Sequence, residues 1–197
     1  MIWALAPNSN RYLCINPADL RFFWDRFDGR LLSEGWETPE YTLLNKSKKV
    51  ADFTSWQITK TLLVTERAKR EISNLCGRDV EFLQFGTVKN KLLFALNVLR
   101  VEDILDVGRS DFMAGSGLVM RAAFKNVRHE KLPPLFKISP AGISDIYVSE
   151  AFGEMLVATK LSGAILRDPA KNPFQQIINR EELNDFPGLE GSVRLAS

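Results

Sequence analysis

The spacing of apolar and charged positions along the chain gives its clearest secondary-structure signal at residues 65–76, TERAKREISNLC. Apolar residues recur there at the spacing of one helical face, and charged residues occupy the other face. Thr65 can cap the first turn with its hydroxyl, and Glu66 suits the positive end of the helix dipole. Gly77 follows where a left-handed residue commonly ends a helix. These signals predict an amphipathic helix bounded by Thr65 and Gly77.

A similar pattern recurs near residues 146–166, where IYVSE leads into a second predicted helix over residues 151–160. Phe152, Met155 and Leu156 fall on one face of that helix. Both units read as strand, hydroxyl residue followed by Glu, helix, glycine and strand. An internal duplication explains the repetition, and so does the same capping chemistry used twice.

Short apolar runs bounded by turn residues predict the strands. Residues 92–98, LLFALNV, are almost continuously apolar and predict a central strand covered on both faces. Residues 100–106 suggest a helical turn and residues 118–127 a longer strand. The predicted strands are 2–6, 41–44, 62–64, 80–85, 92–98, 118–127, 135–138, 146–148 and 164–166.

The expected fold is therefore α+β, with a mainly antiparallel sheet and two N-capped amphipathic helices packed on it, arranged as one sheet or as two similar sub-units. Residues 1–168 are expected to form a single domain. Residues 169–197 are polar, with three prolines and two glycines, and are expected to form a tail that wraps the surface and is partly flexible.

Composition narrows the function classes. Net charge is +2, from 26 basic and 24 acidic residues, which gives nucleic-acid binding little support and leads us to expect no nucleic-acid partner. No apolar run approaches the roughly 20 residues of a membrane-spanning helix, and the N-terminal run is too short for a signal peptide. We therefore expect a cytoplasmic protein with no membrane partner. Cys14 and Cys76 are expected to be two buried thiols, with a disulfide as the alternative.

Candidate chemistry is sparse. The chain has one histidine, and the glycine-rich phosphate loop and the hydrolase elbow motif are both missing. The carboxylate pairs Glu150/Glu154 and Glu181-Glu182 leave a hydrolase open, although a solvated helix face explains the first pair as well. The prediction is a protein that is not an enzyme, with no catalytic residue, metal site or cofactor.

An ordered set of short motifs carries a family resemblance. The motifs run RFDGRLL and GWETPEY, ADF, LLVTERAKREISNL and VEFLQF, LLFALNVLRVEDILD and SDF, PPLFKI, DIYVSEAF, and LSGAIL, over about residues 22 to 167. In this order they resemble an immunity-protein family of bacterial polymorphic toxin systems that was first described as a domain of unknown function, with a myxobacterial example. Glu150 departs from that pattern, in which Asp is more usual.

The resemblance implies a protein that binds and neutralises a cognate toxin encoded by the adjacent gene, without chemistry of its own. It also implies that residues 26–41, RFDGRLLSEGWETPEY, are framework: Asp28-Gly29 makes a turn, Phe27 and Trp36 pack, and Pro39 sets the exit. The alternatives are a hydrolase that reverses a toxin's modification and a ligand-binding regulatory module.

Binding residues tend to lie on loops held by a rigid scaffold. On that basis residues 106–117, DVGRSDFMAGSG, are the first expected toxin contact, because an apolar pair among glycines and charges suits an anchor with a polar rim. The contact residues predicted in this loop are Arg109, Asp111, Phe112 and Met113. Trp36 and Trp56 lie in irregular polar segments and are the other candidates for a contact, with packing in the core as the alternative.

Overall fold

The computed structural model describes residues 1–19, 26–56, 61–115, 117–139 and 145–171. Within these ranges the chain is an α+β protein with mainly antiparallel sheets, which confirms the predicted fold class. The helices are α1 (Glu66–Cys76) and α2 (Glu150–Thr159). The strands are β1 (Trp3–Pro7), β2 (Cys14–Pro17), β3 (Tyr41–Leu43), β4 (Phe53–Trp56), β5 (Leu62–Thr65), β6 (Val80–Val88), β7 (Lys91–Val98), β8 (Val101–Glu102), β9 (Asp111–Phe112), β10 (Val119–Arg121), β11 (Leu135–Ile138), β12 (Ile146–Val148) and β13 (Ala164–Arg167).

The two larger sheets share one five-strand pattern. Its order is β2–β4–β5–β7–β6 in the first sheet and β8–β11–β12–β1–β13 in the second. In each sheet the first pair is parallel and the other pairs are antiparallel. Helix α1 connects β5 to β6, and α2 connects β12 to β13, so each helix crosses over one central strand. A duplication would produce this shared topology, and the duplication itself stays a hypothesis.

The two sheets differ at their edges and in the chain position of the strand that the helix crosses, which is β7 in the first sheet and β1 in the second. In the first sheet β7 follows β6 through a two-residue hairpin turn, whereas in the second sheet the central strand is the N-terminal β1. Lys89 and Asn90 have φ values of 47° and 64°, as a type I′ turn requires. The first sheet gains β3 at its edge, and β9 pairs with β10 in a separate hairpin.

Both helices pack into one central core that lies against both sheets. Ile72 of α1, Phe152 of α2, Phe94 of β7 and Trp3 of β1 belong to this core. Alternate residues of β7, such as Leu93, instead join a second core on the outer face of the first sheet. The strand is thus covered on both faces, as its apolar run predicts.

The first helix has the predicted boundaries. The Thr65 hydroxyl accepts a hydrogen bond from the Ala68 N–H at 3.4 Å, and Gly77, at φ 54°, donates its N–H to Ser73. The second helix differs from the prediction at its start. Ser149 occupies the N-cap position, but its side chain makes no capping hydrogen bond; the residue is buried, and its backbone N–H donates to the Pro134 carbonyl.

Two segments between residues 100 and 127 also correct the prediction. The expected helical turn at 100–106 contains the short strand β8 instead, and a 3₁₀ turn follows at Val107–Arg109. The expected long strand at 118–127 is reduced to β10, because Ala122 donates its N–H to Pro169 rather than to β9. Cys14 and Cys76 are free and buried, as predicted. No helix in the described ranges is long and apolar enough to cross a membrane.

Asp52 ties the first sheet and α1 to the segment that enters β13. One carboxylate oxygen accepts from the Thr65 hydroxyl at 2.8 Å. The other oxygen accepts from the Ser162 N–H and hydroxyl, both at 2.9 Å, and pairs with Arg67 at 3.4 Å. Phe53 donates its backbone N–H to the Ser162 carbonyl at 2.9 Å. We call this cluster the Asp52 junction.

Gly163 allows the two segments of the chain that meet at this junction to approach each other. Its φ is +86°, and a Cβ at this position would overlap Ala51 and the carbonyl of Phe53. Its own carbonyl accepts a hydrogen bond from Asn8 at 2.8 Å. Glycine is required both by the backbone conformation and by the missing space.

Replacing Asp52 with Ala should lower the free energy of unfolding by about 2–4 kcal/mol, because the partly buried donors of Thr65 and Ser162 lose a charged acceptor. Urea unfolding measures the change. Asp103→Ala is the control, since this exposed carboxylate pairs only across the surface with Lys125, and its effect should stay within about 0.5 kcal/mol. Equal effects of the two variants would contradict the structural role given to Asp52.

Gly163→Ala should destabilise the fold by about 2–4 kcal/mol, since positive-φ strain adds to a steric overlap with backbone. Gly35→Ala provides the matched control. Gly35 also has a positive φ, at +73°, but has open space around its Cβ position, so only the strain of about 1–2 kcal/mol applies. The prediction fails if the two variants unfold at the same urea concentration.

Candidate functional site

Residues 106–115 and 117–121 form a hairpin on the outer face of the second sheet. Phe112 of β9 pairs with Val119 of β10, and the Met113 N–H donates to the Leu118 carbonyl at 2.8 Å. Val119 is buried in a third core with residues of β1, β11 and β12. The hairpin is therefore anchored to the sheet through Val119.

Two ion pairs within the hairpin hold its charged side chains. Arg109 contacts Asp106 at 2.6 Å and also donates to the Phe124 carbonyl at 3.0 Å. Arg121 contacts Asp111 at 2.8 Å across the two strands. The guanidinium of Arg109 holds the pKa of the Asp106 carboxyl below its ordinary value. The charged groups are thus balanced and oriented before any partner arrives.

Apolar side chains lie exposed among these charges. Val107 is 66% exposed and Phe112 is 39% exposed, whereas Met113 is half-buried. We call the four exposed hairpin residues Val107, Arg109, Asp111 and Phe112 the hairpin surface. A small apolar centre with a charged rim is the general anatomy of a protein-binding patch.

The structure brings together four of the six predicted contact residues and separates the two tryptophans from them. Arg109, Asp111, Phe112 and Met113 all lie on the hairpin. Trp56 is 2% exposed, and its ring packs edge-on against Phe27 and Phe85. The prediction that Trp56 is a surface contact is therefore corrected, because the covering segment around Phe27 buries it.

Trp36 packs on the first sheet as part of residues 26–41. Its indole N–H donates to the Gln84 carbonyl at 2.8 Å, and its ring lies edge-on to Phe27. Trp36 is half-buried, so only part of the ring faces solvent. These contacts agree with the framework role expected for this segment, and Gln84 lies on the edge strand β6, which the segment covers.

A carboxylate on β6 holds the same segment through its backbone. Glu81 accepts hydrogen bonds from the Leu32 and Ser33 N–H groups at 2.8 and 2.9 Å and from the Asn97 side chain at 2.9 Å. Burial by itself would raise the pKa of Glu81, but the hydrogen bonds from Asn97, Leu32 and Ser33 outweigh it, and the pKa is lowered. Sequence reasoning missed this interaction because Glu81 is separated from Leu32 by 49 positions.

The residues of the alternative functions are placed as follows. Glu150 and Glu154 are both exposed on α2, and Glu181-Glu182 lie outside the described residues, as does most of the predicted tail. Among the described residues no group of three His, Cys, Asp or Glu side chains could hold a metal ion. A cavity beside Asp145, Tyr147 and Arg167 has about 10 Å³, which is room for one water molecule.

No family model matches the chain, and no curated protein sequence matches it significantly. The resemblance to immunity proteins therefore rests on its motifs and stays a prediction. Val107 was not among the predicted contact residues, although its position between Asp106 and Gly108 in a glycine-containing loop is the pattern that could have indicated its exposure.

The lowered pKa of Glu81 predicts a pH dependence. Ionised Glu81 stabilises the fold fully above its unfolded pKa, near 4.5, and this stabilisation is lost as the pH falls through the lower folded pKa. Glu81→Gln should cost about 1–2 kcal/mol at neutral pH, and the difference from the wild type should shrink in this acid range. Urea unfolding from neutral to acid pH measures this difference in unfolding free energy.

Glu37→Gln, at an exposed position of the same segment, is the control and should match the wild type throughout. A loss of unfolding free energy in Glu81→Gln that is the same at all pH values would contradict the role given to Glu81.

Proposed function

We propose that the chain is an immunity protein, which binds a cognate toxin encoded by the adjacent gene and neutralises it in the cytoplasm of the producing cell. The ordered motifs over residues 22 to 167 suggest this class. The observation that carries the proposal is the hairpin surface, where Phe112 and Val107 are exposed on the same hairpin as charged side chains that are already paired.

Pre-organisation supports a binding role for this surface. Arg109 and Asp111 each have a partner on the hairpin itself, so little side-chain freedom remains to be lost when a partner binds. The backbone under them is held by the antiparallel pairing of β9 with β10 and by the hydrogen bond from Asp106 to the Ala123 carbonyl at 2.8 Å. A rigid support for a small exposed apolar centre favours specific protein recognition.

The proposed mechanism is occlusion. Phe112 enters an apolar pocket of the toxin, Val107 extends the dry contact, and Arg109 and Asp111 form the polar rim that excludes water around it. The chain supplies no bond-making step in this mechanism. Neutralisation follows from covering the toxin's active site or from restricting a motion that the toxin needs.

The test is co-expression of the chain with the product of the adjacent gene, followed by growth measurement and titration calorimetry. The wild type should restore growth and form a one-to-one complex. Phe112→Ala combined with Val107→Ala should weaken the complex at least tenfold, since central apolar anchors commonly contribute more than about 1 kcal/mol each. Protection should fall accordingly.

Leu31→Ala combined with Val157→Ala is the matched control. It removes two comparably exposed apolar side chains from other parts of the surface, at 71% and 52% exposure. Both double variants should keep the wild-type urea midpoint, and only the hairpin variant should lose affinity. Absence of any complex with the wild type would refute the immunity function, whereas a complex that both variants retain would refute only the assignment of the hairpin surface.

A further inference from the structure

Three short loops carry six of the chain's 26 basic residues and none of its 24 acidic residues. The loops are residues 8–13, 44–50 and 88–91, and the sheet registers place them at the same end of the first sheet. The β3 residue Leu43 pairs with Ile15 near the start of β2, and Val88 pairs with Lys91 at the hairpin turn. The basic residues are Arg11, Lys46, Lys48, Lys49, Lys89 and Lys91.

Hydrogen bonds between the loops bring these charges together. The Lys89 ammonium donates to the carbonyls of Lys46 and Lys48, the second at 3.0 Å. The Lys48 ammonium donates to the carbonyls of Ser9 and Asn10, at 3.2 and 2.5 Å. The ammonium groups of these two lysines thus donate to backbone carbonyls and hold the loops in place. Their positive charge remains at this end of the molecule. We call the six cations the basic end.

The three loops themselves contain no acidic residue. The nearest acidic residue along the chain is Asp52, and its oxygens are engaged by Thr65, Ser162 and Arg67. Lys46, Lys49 and Lys91 are exposed. Like charges held close together destabilise a compact state unless a counter-charge binds them.

We propose that the basic end binds the phosphate backbone of a nucleic acid, without reading its sequence. Five of the six cations are lysines, which are strongly hydrated point charges and are depleted from protein–protein interfaces. Neutralising phosphates with such side chains releases condensed counterions and needs no desolvated contact. The mixed charges of the hairpin surface contrast with this uniform sign, so the inference is independent of the proposed immunity function.

Fluorescence anisotropy with a labelled DNA duplex of about 20 base pairs tests the proposal on the full chain. We expect saturable binding whose dissociation constant rises about 100-fold between about 50 and 200 mM salt, as the neutralisation of about four phosphates requires. The triple variant Lys46→Gln, Lys49→Gln and Lys91→Gln should bind at least tenfold more weakly, with a salt slope smaller by about 3. Lys48 and Lys89 are left unchanged because they hold the loops.

The charge-matched control is Arg128→Gln, Lys131→Gln and Lys160→Gln, which removes three exposed cations elsewhere and should keep wild-type affinity. Unchanged urea midpoints show that both variants are folded. Equal loss in the two variants would overturn the proposal, because net charge alone would then explain binding. Failure to bind the duplex would also overturn the proposal. Binding of poly-L-glutamate instead would indicate an acidic protein partner. Binding of vesicles of phosphatidylcholine and phosphatidylserine instead would indicate a membrane surface.

Discussion

The arrangement of the two sheets depends on the hydrogen bonds that the Asp52 carboxylate accepts. Asp52 directly precedes β4 of the first sheet, and Ser162 and Gly163 directly precede β13 of the second. A single carboxylate therefore accepts from Thr65, which ends β5 and caps α1, and from Ser162, which leads into β13. The close approach is possible only because Gly163 lacks a side chain. Because the backbone donors of the Asp52 junction are satisfied, the two sheets can pack together there around the central core.

Elements that depend on local chemistry could be predicted from the sequence, and elements that depend on distant contacts could not. Helix α1 carries its cap, its apolar face and its terminal glycine within thirteen consecutive residues, 65–77, so its boundaries follow from the pattern. The segment from 100 to 127 follows no such pattern. Its short strands are held by partners elsewhere in the chain, as when Lys137 donates its N–H to Arg100 and Ala122 donates to Pro169.

The candidate site shows the same division. The glycines and charges around Phe112 predict an exposed loop, since such residues favour turns and solvent. Nothing local distinguishes Trp56 from Trp36, because their burial is decided by where residues 26–41 cover the first sheet. That cover is itself held by Glu81 and Asn97, which lie far along the chain from the segment they fix. A tryptophan in a polar segment is thus poor grounds for predicting a contact.

Net charge is a similarly coarse guide, because it sums over surfaces that the fold keeps apart. On the hairpin, each of Arg109 and Arg121 faces a carboxylate, so charge cancels locally and leaves the apolar side chains to determine contact. At the basic end Lys48 and Lys89 donate to carbonyl oxygens, which carry no formal charge, so the positive charge of these loops accumulates. A chain of net charge +2 can therefore present one surface suited to a desolvated protein contact and another suited to a hydrated polyanion. The two surfaces lie on different sheets, so a substitution in one should leave the other's chemistry intact.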